Sequence, residues 1–292
     1  MVGLAGCRPP PLTESGVVGV FGRIGLGRGE FSYPRALTID REGRVFVVDK
    51  SARVQRFSAG GEFELGWALP ERRAGKPVGL SAAPDGRIFI ADTHYHRVMV
   101  YDGDGRELAC FGRQGNGDGE FQLPTDVAFD AAGNVYVGEY NGNDRITKWS
   151  PDYEFLEVVV GGEVAGVPLR RPAGIAIDAA QTLWVADACN HRVLRFDLEG
   201  NLLSAWGTMG REPGRLRYPY DLVCTADGEV MVCEYGNHRL QWFDQQGNSQ
   251  RVWGSQGRRM GELWAPWGAS VGPDGRVYVV DSLNARVQIV RL

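Results

Sequence analysis

Apolar residues in this chain come in short runs rich in Val, Ile, Phe, Tyr and Trp, set between polar stretches that contain glycine. Val45-Phe46-Val47-Val48, Val135-Tyr136-Val137 and Val277-Tyr278-Val279-Val280 are examples. Runs this short, β-branched and aromatic, predict strands rather than helices. The stretch from Tyr218 to Asn248 shows their order: a proline, an apolar run, an Asp-Gly turn, a second run ending in an acid, a loop, an Arg and a third run. That order returns six times. The opening prolines are Pro34, Pro77, Pro124, Pro172, Pro219 and Pro266, spaced 43 to 48 residues apart. The closing acids, Asp49, Asp92, Glu139, Asp187, Glu234 and Asp281, keep the same steps. Two landmarks in one register over six copies mark an internal repeat.

Turn chemistry separates the first two strands of a unit: Glu42-Gly43, Asp85-Gly86, Ala132-Gly133, Asp227-Gly228 and Asp274-Gly275, with Ala180-Gln181 departing in the fourth. A two-residue turn at Asp227-Gly228 places Cys224 opposite Met231, which argues against a Cys224–Cys233 bridge. Third strands are read at Arg53–Phe57, Arg97–Tyr101, Arg145–Trp149, Arg192–Phe196, Arg239–Phe243 and Arg286–Val290. A fourth ends in glycine, as in Cys110-Phe111-Gly112, Ala205-Trp206-Gly207 and Val252-Trp253-Gly254. Four antiparallel strands per unit, repeated radially, predict an all-β fold, a six-bladed β-propeller spanning 16–292. The sixth unit has no fourth strand of its own, and Val17–Phe21 is a spare one. Pairing it with Arg286–Val290 closes the ring and leaves no open radial edge.

Composition changes little in this picture but narrows the function. Hydrophobic content is 43%, enough for a full core, and the 41 glycines fit many tight turns. A net charge of -4 argues against a dedicated nucleic-acid binder. No apolar run is long enough to span a bilayer as a helix. The five cysteines form no CxxC pair. Residues 1–15 read as a flexible Pro-rich segment. Within it, Leu4-Ala5-Gly6-Cys7 resembles a bacterial lipobox, although no charged start and apolar stretch precede it. Two readings stand: an exported lipoprotein tethered through Cys7 and started upstream, or a cytoplasmic protein in which Cys7 is a tail residue.

Cys189-Asn190-His191-Arg192-Val193, Gly236-Asn237-His238-Arg239-Leu240 and Leu283-Asn284-Ala285-Arg286-Val287 repeat one pattern. It resembles the NHL repeat, over roughly Val17 to Leu292. The resemblance implies a six-bladed propeller. For function it implies a choice among protein or RNA binding and lyase or lactonase activity, because one frame hosts many sites.

Several motifs have plain structural readings. The acid–Arg pair of every unit is read as frame, the acid accepting loop N–H groups and the Arg bridging neighbours. His96, His191 and His238 share one slot before that Arg and are read as solvated loop residues rather than zinc ligands; His94 lies off that slot and is kept as a site candidate. Gly25-x-Gly27-x-Gly29 and Gly115-x-Gly117-x-Gly119 lack the Lys and helix of a phosphate loop. Gly268-Ala269-Ser270-Val271-Gly272 lies along a strand, not a nucleophile elbow. Asp102-Gly103-Asp104-Gly105 is a weak calcium pattern.

Blade-to-blade differences are what remain. The loop after each acid and the loop before each proline leave the same end of the ring. Blades three and five there combine Asp126 with Glu139-Tyr140 and Asp221 with Glu234-Tyr235; blade one supplies Arg35 and Lys50, and blade six Trp267. These residues are expected to converge on a central funnel. The expected activity is that of a monomeric binding scaffold for a protein, peptide, glycan or small polar ligand. The alternative is a lyase or lactonase-type hydrolase using the funnel carboxylates or tyrosines, with a divalent cation (Ca or Zn) as the one cofactor considered. Nucleic acid is the least expected partner.

Overall fold

A computed structural model of the chain describes residues 16–292; the lipobox and Cys7 lie outside the described residues. Six four-stranded antiparallel sheets form the blades. Blade 1 is Pro34–Ile39, Val45–Asp49, Arg53–Phe57 and Phe63–Ala68, from the channel outward. Blade 5 is Pro219–Cys224, Val230–Glu234, Arg239–Phe243 and Ser249–Trp253. In blade 6, Val17–Phe21 pairs antiparallel with Arg286–Val290, with Val20 opposite Gln288 and Phe21 opposite Val287. The ring is closed by strands from the two ends of the fold, as the repeat count predicts.

Burial explains the apolar pattern. The second strand of every blade is buried along its whole length, so it reads as a continuous apolar run. Outermost strands are far more exposed, and Phe63–Ala68 alternates residue by residue. The core lies between blades: Phe21, Phe31 and Phe57 pack with Tyr278 and Val287 across the closure of blades 6 and 1.

The acid–Arg pairs hold the inter-blade connections. Glu234 is fully buried; its Oε1 accepts from Arg239 Nε at 2.5 Å, and its Oε2 accepts from the backbone N of Arg217. Arg239 then donates to the carbonyls of Arg211, Glu212 and Arg215 in the connection from blade 4. Arg145 and Arg286 do the same in their blades. Blade 2 departs. Its preceding connection is short, and Asp92 Oδ1 and Arg97 Nη2 are left without hydrogen-bond partners.

Two readings need correction. The first hairpin of blade 5 has a three-residue loop, with Thr225 N bonding Glu229 O, Gly228 N bonding Thr225 O and Gly228 at φ 86°. The extra residue moves the register, so Cys224 pairs with Val230; it still does not meet Cys233, which pairs with Asp221. Gln181 takes the same left-handed position in blade 4 at φ 58°. The three aligned histidines are ties between blades, not solvated loop residues. Nδ1 of His96, His191 and His238 accepts the backbone N–H of Leu123, Tyr218 and Ala265 in the next blade, at 3.3, 3.0 and 2.9 Å.

Candidate functional site at the channel mouth

Outside blade 2 the chain enters the innermost strands through a distinctive local bend. Tyr33, Arg171, Tyr218 and Ala265, each just before an opening proline, have φ of 56°, 59°, 49° and 53°. That left-handed backbone is uncommon for non-glycine residues. The proline follows, and then a β-bulge: the register shifts between Pro34 and Ala36, Pro124 and Asp126, Pro172 and Gly174, and Pro219 and Asp221. A bulge re-aims side chains. Here Tyr33, Arg171 and Tyr218 before their prolines, and Arg35, Tyr220 and Trp267 after theirs, meet at the mouth of the central channel.

An aromatic cluster results. Trp267 lies edge-on to Tyr33 at 5.9 Å and to Tyr235 at 5.6 Å, and 4.9 Å from Tyr220, with centroids as reference. Tyr220 stacks on Tyr235 at 4.7 Å. Burial pushes the Tyr33 phenol up, and the neighbouring Tyr235 hydroxyl adds to that. Two arginines sit on these rings. Arg35 Cζ is 4.6 Å from the Trp267 centroid and 5.6 Å from that of Tyr33. Arg171 Cζ is 4.6 Å from Tyr220 and 5.0 Å from Tyr140, and its Nη1 donates to Tyr220 Oη at 3.1 Å. Burial lowers the pKa of Arg35, and Arg171 acts in the same direction.

Below the mouth lies a cavity of about 320 Å³ lined by innermost strands of the blades. Asp126 and Asp221 stand on its wall at the same place in blades 3 and 5, where blades 2, 4 and 6 have Gly79, Gly174 and Gly268. Gly79 and Gly174 are required by close approach: a Cβ on Gly174 would lie 2.7 Å from Asp221 Cα, and one on Gly79 would lie 2.2 Å from Thr125 O. Each aspartate reaches the next blade. Asp126 Oδ2 accepts from Ile175 N at 3.0 Å, and Asp221 Oδ2 accepts from Ala269 N at 2.9 Å. Asp126 Oδ1 accepts from Ser81 Oγ, and Asp221 Oδ1 from Leu222 N. Burial raises both carboxyls, Asp221 further because Asp126 adds like charge.

The sequence-derived candidates thus separate. Arg35, Asp126, Asp221 and Trp267 line the cavity, and Tyr140 and Tyr235 join through ring contacts. Glu139 and Glu234 are fully buried in ion pairs with Arg145 and Arg239. Lys50 is exposed, its backbone N bonded to Ser32 and Tyr33 carbonyls. His94 is half-buried; burial lowers its pKa, and the charges of Lys76 and Arg35 add to that. Tyr33 and Arg171 escaped sequence reading. Their signal was the slot before the proline, which is aligned in every unit but to which the spacing gave no role. No group of three or more His, Cys, Asp or Glu side chains that could hold a metal ion occurs among the described residues.

Closed six-bladed sheets with an acid–Asn–Arg frame define a class, and comparison with known proteins places the chain in it. The NHL repeat model matches residues 169–196 and 263–290. This chain is an NHL-repeat propeller. It is 27% identical over 133 residues to Protein brain tumor of Drosophila melanogaster, covering 45% of the chain and 12% of that protein. Mouse NHL repeat-containing protein 3 is 27% identical over 205 residues, 64% of the chain and 57% of that protein. Rat peptidylglycine alpha-amidating monooxygenase is 32% identical over 133 residues, 41% of the chain and 13% of that protein. The chain thus spans a small part of the first and third and little over half of the second. Among solved structures, a streptogramin B lyase superposes with a TM-score of 0.66 at 15% identity, over 94% of the chain and 97% of its own. That likeness is one of fold.

Proposed function

We propose that this propeller is a binding module that takes a protein or peptide segment at the channel mouth. The cluster of Arg35 and Arg171 on Trp267, Tyr220 and Tyr235 supports this reading. Trp, Tyr and Arg are the residues in which interface energy concentrates, especially around a pocket. The surface also extends outward. A hollow of about 290 Å³ beside the mouth shares Tyr218 and Tyr235 and adds Trp264 and the exposed Leu283. Selection of peptides from a random library on the immobilised propeller tests the proposal. Selected peptides should weaken by tenfold or more on Trp267→Ala or Tyr220→Ala, on the order of hot-spot losses, and should be indifferent to Arg251→Ala on an outermost strand. Peptides indifferent to both mouth substitutions would sink it.

The raised carboxyls of Asp126 and Asp221 favour a second reading, acid–base chemistry in the channel. A stoichiometric ion on protein purified without a His tag, lost on Asp126→Ala or Asp221→Ala, would support it.

A further inference from the structure

Arg35 and Arg171 differ from nearly every other buried guanidinium in the fold. Neither forms an ion pair among the described residues, and the Nε of each is buried with no hydrogen-bond acceptor. Arg35 has ring contacts alone; Arg171 adds one bond to a neutral phenol. A partly desolvated cation without a counter-charge is costly, and an anion brought between two of them recovers that cost. The wider charge distribution agrees. Connections on the mouth face carry more Arg and Lys than Asp and Glu, among them exposed Arg211, Arg215, Arg258 and Arg259. Connections on the opposite face carry the reverse, as in Asp152, Glu154 and Glu199. Such a field steers anions to one end of the ring.

Resting on the binding reading above, we infer that the mouth is a carboxylate subsite: Arg35 and Arg171 receive a ligand carboxylate while Trp267 and Tyr220 hold the apolar group beside it. A planar carboxylate suits two guanidinium forks. A polyphosphate chain would place further negative charge over Asp126 and Asp221, on the cavity wall below.

Calorimetric titration of the full chain with N-acetylphenylalanine and with its amide tests the inference. The acid should bind about tenfold more tightly than the amide, the scale of one hydrogen-bonded charge. Arg35→Gln or Arg171→Gln should erase that difference while the chain still unfolds cooperatively in urea; Trp267→Ala should weaken acid and amide alike. Two peptides separate the sources of the carboxylate: one with a free C-terminus, one amidated with an internal Glu. Arginine-dependent binding of either supports the subsite and assigns its source. Equal binding of acid and amide overturns the carboxylate but leaves the aromatic binding site standing. No binding of either probe overturns the inference, and a library whose peptides ignore the mouth would remove the binding reading as well. A single-stranded oligonucleotide whose binding falls on Arg35→Gln, with no preference for acid over amide, would also overturn it.

Discussion

Arg239 and Arg171 are the same side chain in two regions of one propeller, and they are held by opposite means. Arg239, in the repeated frame, meets a buried carboxylate and three carbonyls of the preceding connection. Arg171, at the mouth, meets two tyrosine rings and one hydroxyl. In the frame the fold supplies every partner that a guanidinium needs. At the mouth it supplies position and withholds the counter-charge. A repeat protein can hold both because the frame is paid for six times over, freeing single blades to differ.

The largest effect that would break this contrast lies in the frame. Glu234→Ala leaves Arg239 buried without its anion and should cost about 3–5 kcal/mol in urea unfolding, the scale of a broken buried pair. Arg171→Ala loses two ring contacts and one hydrogen bond to a neutral phenol and should cost about 1–2 kcal/mol. Equal losses would make Arg171 a frame residue and end the distinction.

The histidine ties give a smaller effect and a sign. His96, His191 and His238 each accept through Nδ1, and burial lowers the pKa of all three. A lowered folded pKa means that the unfolded chain binds the proton more readily. The stabilisation is therefore complete above the ordinary histidine value near ~6.5 and is lost as pH falls below it. His191→Ala should cost about 1 kcal/mol at pH 7.5, and its deficit against wild type should shrink as urea midpoints are followed to pH 5. A constant deficit would mean that the tie is packing, such as the His191 ring against Tyr218 at 4.6 Å.

How much of this was legible in the sequence follows from what repeats. Proline, acid and Arg recur in register, so blade count and ring closure could be read from spacing; Glu139 and Glu234, expected at the funnel as well as in the acid–Arg frame, lie in the frame alone. The histidines recur too, but their partner is a backbone N–H of the next blade, and a backbone group carries no letter in the sequence. The mouth was half legible. Trp267 and Arg35 follow their prolines and stand out by type; Tyr33 and Arg171 precede theirs and reach the mouth only because the backbone there is left-handed and the next residues bulge. Net charge sums two faces of opposite character: -4 overall conceals the arginines gathered around one end of the ring.

The carboxylates sharpen the same contrast with the smallest effect. Glu234 faces Arg239; Asp221 faces backbone N–H groups and the like charge of Asp126. Burial and that charge raise Asp221 to about 8. A folded pKa above the unfolded one places its stabilisation below the ordinary carboxyl range and removes it as pH climbs through about 8. At pH 6.5 the histidines are about half protonated in the unfolded chain, so their slope, of opposite sign, is confined to the lower edge of that window and is shared by both proteins compared. Wild-type urea midpoints should therefore fall from pH 6.5 to pH 9, and Asp221→Asn, already less stable at pH 6.5 through its altered bond to Ala269, should fall less. Parallel lines for the two proteins would mean that Asp221 is ionised throughout. The channel would then carry two fixed negative charges beneath the arginines, and the mouth would no longer lack a nearby anion as the frame comparison requires.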